Sequence, residues 1–244
     1  MVRELTGGTH RAGRRGLKLV VLDMAGTTVA DGGLVERAFS TAAQALGVTA
    51  GSDRHERQLS YVRETMGESK ISVFRHLFGD EQSAQRANAA FEEAYGELVG
   101  GGLVAAVPGA AEAIARLRDA GRTVVLTTGF ARATQDAILD ALGWRDLVPL
   151  TLCPADAGGR GRPYPDMVLA AFLRTGAADA VDEVAVVGDT SYDMAGGLRA
   201  GAGAVIGVRT GAHAEPALRR AGADDVLPSV AELPESLAAR ERPR

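Results

Sequence analysis

The sequence predicts an α/β fold: a Rossmann-like, doubly wound parallel sheet, interrupted after its first strand by an all-helical insertion. Three observations lead there. Short, mostly uncharged, β-branched runs recur along the chain, as strands covered on both faces require. Helix-period segments separate them, and strand–helix alternation is the pattern of a parallel sheet. The alternation fails over residues 31–107, where only helical patterns occur.

The first strand is read at Leu17-Lys18-Leu19-Val20-Val21-Leu22. Later ones are read at Thr123-Val124-Val125-Leu126, over 148–152, at Val184-Ala185-Val186-Val187, and at Ala204-Val205-Ile206-Gly207-Val208. Helices are expected over 110–120, 133–142, 166–175, 194–200 and 216–221. In the irregular region, Leu34, Ala38, Phe39 and Ala42 share a helical face. So do Leu59, Val62 and Met66; Lys70, Val73, Phe74 and Leu77; and Ala84, Ala87, Phe91, Ala94 and Leu98. The organisation expected is a basic tail over 1–16, a core of 17–31 and 108–234, and a helical cap over 32–107. Asp31-Gly32-Gly33 and Gly100-Gly101-Gly102 can serve as hinges. An insertion over the carboxyl end of a parallel sheet is either a lid or plain helical decoration.

Composition narrows the function. The chain has 244 residues, 46% of them apolar, and a formal net charge of −4, which gives no reason to expect a nucleic-acid partner. No apolar run is long enough for a bilayer, so no membrane partner is expected. Arg3, Arg11, Arg14 and Arg15 lie in residues 1–16 without the apolar stretch of a secretory signal, and a cytoplasmic enzyme is expected. Cys153 is the only cysteine, which excludes an intrachain disulfide and a cysteine metal cluster. Lysine occurs only at Lys18 and Lys70.

Four constellations stand at strand ends or in the adjoining loops. Asp23-Met24-Ala25-Gly26-Thr27-Thr28 follows the first strand. Its small residues let backbone N–H groups converge on an anion; its Asp can equally cap a polar turn. Thr127-Thr128-Gly129-Phe130 offers a hydroxyl and an accessible N–H, for a phosphate oxygen or for a helix N-cap. Gly161-Arg162-Pro163-Tyr164-Pro165 pins an arginine whose fork suits a phosphoryl group, though a solvated loop arginine is the commoner case. Gly188-Asp189-Thr190-Ser191-Tyr192-Asp193 sets two carboxylates four residues apart, hard oxygen ligands suited to Mg²⁺. Carboxylates gathered near Asp23 would repel unless a cation lay among them.

In this order the four resemble the motifs of the haloacid dehalogenase superfamily, over roughly residues 17–31 and 108–234. The resemblance implies that Asp23 attacks phosphorus and becomes an aspartyl-phosphate. It implies Mg²⁺ held by Asp23, the Ala25 carbonyl and Asp189, with Asp193 in support. It implies phosphoryl oxygens held by Thr128, Gly129 and Arg162, and Ala25, Gly26, Thr27, Met66, Gly129 and Phe130 around a small organic phosphonate or phosphate. A homodimer is allowed for.

Ala25 separates substrates. Most phosphatases of that superfamily carry there an Asp that protonates the leaving oxygen, help worth ~10²–10⁴ in rate. Alanine donates no proton, so either another group does or the bond broken is not P–O. With Arg162 and Met66-Gly67-Glu68-Ser69-Lys70, the chain resembles the phosphonatase branch, whose founding activity is phosphonoacetaldehyde hydrolysis through an imine on a cap lysine. The resemblance implies that role for Lys70. Independently, an arginine-rich chain has here a primary amine, which can form an imine where arginine cannot. Read from the residues alone, Lys70 can also simply lie along an apolar face with its head in water. Val73 and Phe130 stand where the founding enzymes carry histidine and tyrosine. A phosphomonoesterase is the alternative.

Overall fold

In a computed structural model of the chain, residues 16–241 are described. The basic tail expected over residues 1–16 lies outside them except for Gly16.

The strands are β1 (Leu19–Asp23), β2 (Val29–Ala30), β3 (Ala105–Ala106), β4 (Thr123–Thr127), β5 (Leu150–Leu152), β6 (Val184–Gly188), β7 (Ala204–Val208) and β8 (Asp225–Leu227). Six of them make one parallel sheet in the order β5-β4-β1-β6-β7-β8. β1 runs between β4 and β6, parallel to both. The chain leaves β1 toward one edge and later returns to its other side, so the switch point of the sheet lies at the carboxyl end of β1, where such folds place their ligands.

Every residue of β1, β6 and β7 is buried, as their unbroken apolar runs require. Alternate side chains take opposite faces. Val20 and Leu22 join a core with Ile114, Leu117, Ile138 and Leu237. Leu19 and Val21 join another with Val168 and Ala171. The covering helices are α5 (Ala110–Asp119), α6 (Arg132–Ala141), α7 (Asp166–Thr175), α8 (Ser191–Ala200), α9 (Glu215–Arg220) and α10 (Leu233–Glu241), numbered after the four of the insertion.

The insertion consists of α1 (Leu34–Ala45), α2 (Asp53–Glu64), α3 (Lys70–Phe78) and α4 (Glu81–Gly100). Side-chain oxygens start two of them: Ser52 accepts from the His55 N–H before α2, and Asp80 from the Ser83 N–H before α4. Phe39, Phe74 and Phe91 meet at centroid distances of 5.8 Å, and Phe91 reaches Phe130 of the core at 6.2 Å. One apolar cluster thus runs from the sheet into the insertion. The two connecting segments are joined by the antiparallel pair β2–β3. No described helix is long and apolar enough to cross a membrane.

Three expectations need correction. A strand over 148–152 starts only at Leu150, since Pro149 has no N–H for the ladder. The region 31–107 does contain a strand, the two-residue β3, too short to show any alternation. Met66, expected on a helical face with Leu59 and Val62, lies in the turn after α2, which ends at Glu64.

Candidate active site

β1, β4 and β6 converge at their carboxyl ends, and the loops that follow carry the buried polar side chains. Asp23 is the last residue of β1, 6% exposed. Arg162, from the loop before α7, reaches across with Nη2 2.7 Å from Asp23 Oδ1, and its Nε lies 2.5 Å from Asp193 Oδ1. Nη2 also donates to the Thr127 hydroxyl at 2.6 Å. The remaining nitrogen, Nη1, is buried without a hydrogen-bond partner among the described residues.

Asp193 Oδ1 has that ion pair but no hydrogen bond among the described residues, while Oδ2 is hydrogen-bonded. The residue completes a capping box at the start of α8, its Oδ2 accepting from the Thr190 N–H at 3.1 Å and the Thr190 hydroxyl at 2.6 Å. Helix cap and arginine anchor are therefore one residue. Asp189, just past β6, accepts from the Thr27 hydroxyl at 3.1 Å and the Ala212 N–H at 2.7 Å. Gly26, at φ 87°, lies so close to that carboxylate that any side chain there would collide with it.

Three buried carboxylates thus face one buried guanidinium. Burial raises the Asp23 carboxyl well above the usual range; Arg162 opposes the shift, while Asp193 and Asp189 add to it. Burial, then Asp193, pushes Asp189 up to about 7. Burial lowers Arg162, but Asp193 and Asp23 more than offset it and hold the guanidinium firmly charged. Among the described residues no three His, Cys, Asp or Glu side chains are grouped as a ready-made metal cage. Yet the donor chemistry fits a small hard dication. Asp23 and Asp189 supply charged oxygens in a site short of positive charge, and Mg²⁺ habitually keeps several waters and needs only one or two carboxylates.

Lys70 opens α3 and is 8% exposed. Its N–H donates to the Gly129 carbonyl at 3.3 Å. Gly129 has to be glycine: a Cβ there would sit 2.6 Å from the Glu68 carbonyl oxygen. The insertion thereby docks on the turn after β4. Lys70 Nζ lies over the Phe130 ring, 5.4 Å from its centroid, and no described carboxylate comes within the 4.0 Å of an ion pair. Burial lowers its pKa, against the opposing charges of Asp31, Asp23 and Glu92.

A cavity of about 460 Å³ opens over Ala25, Gly26 and Asp189, with Asp31 and Met66 also in its wall. A second, of about 240 Å³, runs along Lys70, Glu92, Gly129 and Phe130. Ion pairs therefore join Asp23, Arg162 and Asp193 in one set and a hydrogen bond joins Asp189 and Thr27 in another, while Ala25, Gly26 and Met66 share one cavity and Lys70, Gly129 and Phe130 the other. Thr128 stays apart. Its hydroxyl accepts from the Phe130 N–H at 3.2 Å, within its own turn, and the hydroxyl touching Arg162 belongs to Thr127.

Sequence reasoning missed Thr127, the 210–213 loop and Glu92. Thr127 is the last residue of β4, a position the strand reading ended one residue short of. Thr210 donates to the Gly26 carbonyl at 2.6 Å, a contact spanning 184 positions with no motif to announce it. Glu92 of α4 accepts from the Ala131 N–H at 3.3 Å and bonds the Thr134 hydroxyl, capping α6 from the insertion. Burial raises its carboxyl.

With this geometry, the profile of the haloacid dehalogenase-like hydrolases matches residues 17–201. The chain belongs to that family. Among relatives of this haloacid dehalogenase-like hydrolase is one described as "Probable phosphatase IndB", from Dickeya dadantii, 31% identical over 221 residues that cover 88% of this chain and 91% of the relative. The phosphonoacetaldehyde hydrolase of Hahella chejuensis is 28% identical over 93% of this chain and 87% of its own length. A phosphonoacetaldehyde hydrolase-like protein from Oleispira antarctica superimposes with a TM-score of 0.78 at 25% identity, over 99% of this chain and 100% of that one. A hydrolase from Pseudomonas syringae shares the fold with a TM-score of 0.79, over 91% of this chain and 98% of that one.

Proposed function

We propose that this hydrolase cleaves the C–P bond of a small carbonyl phosphonate, with Asp23 as nucleophile and Lys70 as imine-forming amine. The observation that carries the reading is Lys70 itself. A lysine buried beside the Asp23 site, with no described carboxylate at ion-pair distance and its pKa lowered by burial, is a costly way to keep a charge and a good way to keep a free amine. Ala25 agrees with it, because no acid stands at that position for an oxygen leaving group.

In this reading the Lys70 amine condenses with the substrate carbonyl, releasing water and giving a protonated imine. Asp23 attacks phosphorus; the C–P bond breaks and its electron pair flows toward the iminium nitrogen, leaving an enamine. Protonation at carbon and hydrolysis return the carbonyl product and the free amine, and water splits the aspartyl-phosphate to inorganic phosphate. Arg162, held by Asp193, steadies the Asp23 carboxylate and offers Nη1 to a phosphoryl oxygen. Thr128 and Gly129, with the backbone of Ala25, Gly26 and Thr27, complete the phosphoryl pocket, and Met66 and Phe130 flank the organic part. Asp23, the Ala25 carbonyl and Asp189, with Asp193 in support, would hold Mg²⁺, which would supply charge neutralisation at the phosphoryl oxygens. The helical insertion over 32–107 serves as the lid, hinged at Asp31-Gly32-Gly33 and Gly100-Gly101-Gly102.

The relative described as a phosphatase favours a second reading: a phosphomonoesterase in which Lys70 binds an anionic substrate. Borohydride separates the two. Added with a carbonyl phosphonate, it is expected to inactivate the enzyme and leave one reduced adduct on Lys70, located by peptide mapping. Lys70→Arg keeps the charge and is expected to abolish phosphonate turnover. No adduct, or substantial phosphonate turnover by Lys70→Arg, gives the site to the esterase.

A further inference from the structure

Condensing an amine with a carbonyl moves two protons. The nitrogen loses both of its hydrogens to the carbonyl oxygen, which leaves as water, and a buried amine such as Lys70 needs a fixed group to carry them. The turn after β4 places one in reach of the same cavity. Lys70 docks on that turn through its backbone N–H, 3.3 Å from the Gly129 carbonyl, and its Nζ lies 5.4 Å from the centre of the Phe130 ring. One residue on, the Ala131 N–H donates to Glu92 Oε1 at 3.3 Å, and the Thr134 hydroxyl donates to Oε2. The turn 129–131 therefore holds the lysine at one end and the Glu92 carboxylate at the other. Lys70, Glu92 and the whole of that turn line one cavity of about 240 Å³. The other ionisable side chains of its wall are less suited: Arg132 is ion-paired with Asp156, and burial pushes the Cys153 thiol up. Burial raises the Glu92 carboxyl and lowers the Lys70 amine, which brings their proton affinities closer and eases transfer between them.

We propose that Glu92 is the acid–base group of imine formation, taking protons from the Lys70 nitrogen and delivering them to the departing oxygen. This rests on the reading that Lys70 forms the imine. The nitrogen lone pair bonds to the carbonyl carbon, and the C=O pair moves onto oxygen. Glu92 accepts a proton from nitrogen and passes it to that oxygen. The lone pair left on nitrogen then closes the C=N bond as the C–O bond breaks, and Glu92 relays the second proton so that the oxygen leaves as water. Glu92 ends as the carboxylate it began as, and one proton from solvent makes the imine cationic.

The test is Glu92→Gln, whose amide still accepts from the Ala131 N–H and can donate to the Thr134 hydroxyl but cannot relay protons. With phosphonoacetaldehyde as probe, the initial rate of borohydride-trapped adduct on Lys70 is expected to fall by ~10²-fold or more, the worth of a positioned acid–base group. The melting temperature is expected to stay within ~2 °C of the wild type. The Kd of inorganic phosphate with Mg²⁺, which reads the Asp23 side alone, is expected to stay within about twofold. Glu92→Ala supplies the second arm. Formate, a soluble carboxylate small enough for the space left, is expected to raise its adduct rate by roughly tenfold or more, in proportion to concentration; lost packing is not restored that way. An adduct rate for Glu92→Gln within about threefold of the wild type would overturn the proposal and leave Glu92 as the cap of α6. So would a loss in both variants that formate does not relieve in Glu92→Ala. No adduct in the wild type is the distinct failure of the imine reading, and it takes this proposal with it.

Discussion

Replacing Arg162 by methionine tests the electrostatic frame of the site. The substitution nearly preserves the apolar stem but leaves Asp23 and Asp193 buried without the guanidinium that lies 2.7 Å from one and 2.5 Å from the other. Breaking a buried ion pair from one side costs about 3–5 kcal/mol. For a chain of this size that is a melting temperature lower by ~6–20 °C. The pH dependence has a definite sign. Asp23 and Asp189 already have folded-state pKa values above their unfolded ones, Asp189 at about 7. Such groups favour the folded state most below the unfolded value, and that contribution is lost as pH rises through the folded value. Removing Arg162 enlarges the shift at Asp23, so the loss of stability is expected to be greater at pH 8 than at pH 5. Thermal unfolding followed by circular dichroism, in EDTA at both pH values, measures it. Excess Mg²⁺ at pH 8 is expected to raise the melting temperature of the variant more than that of the wild type, because the more negative site binds the cation more tightly. A variant within ~2 °C of wild type at pH 8, or a larger loss at pH 5, would refute the reasoning.

Other outcomes follow from the same geometry. Asp23→Asn is expected to abolish turnover while leaving the fold intact, checked by phosphate release and circular dichroism; near-normal turnover removes the nucleophile. Lys70→Met is expected to raise the melting temperature by a few degrees, roughly 2–4 °C, by removing an ammonium that burial disfavours, while ending phosphonate turnover. Because burial lowers the Lys70 pKa, the rate of borohydride-trapped adduct formation is expected to climb with pH and level off below the ordinary lysine value of 10.5; a midpoint at or above that value contradicts a buried free amine. Ala25→Asp is expected to raise phosphate-ester hydrolysis without improving C–P cleavage, measured as phosphate release from each substrate class.

Much of the sheet was legible because its inner strands are buried on both faces: β1, β4, β6 and β7 appear as apolar runs that loops rarely contain. The edge strand β8 was not, with three residues, an Asp among them, and only one neighbour. Helix α10 escaped for a related reason, since Leu233, Pro234 and Leu237 make too short an apolar stripe to show a period. In the candidate site, the places of Asp23 and Asp189 at strand ends were legible because a carboxylate that closes a buried apolar run is conspicuous. Asp193 was legible as a residue but not in its double use, since a capping box and an arginine anchor look alike in sequence. Adjacent threonines at 127 and 128 cannot be told apart without the direction of each hydroxyl. Glu92 lay within a helix-period segment, whose pattern announces a core face and gives no sign of a side chain that lines a cavity.

The β2–β3 pair has a kinetic meaning. β1 and β4 are neighbours in the sheet, yet Leu19 pairs with Thr123, so their meeting closes a loop of roughly a hundred residues. If the four helices of the insertion form first and draw residue 30 against residue 105, that loop shrinks to about thirty residues of free chain. The closure entropy then falls by about 1 kcal/mol, from (3/2)RT times the logarithm of the ratio of lengths. Helices α1 and α4, the first and last of the insertion, pack directly on each other, so folding the insertion brings its two ends together. The segment that interrupts the sheet in sequence thus acts as a splint for its central strand pair, and loosening the ribbon at Val29 or Ala106 should slow the assembly of the core more than it weakens the finished structure.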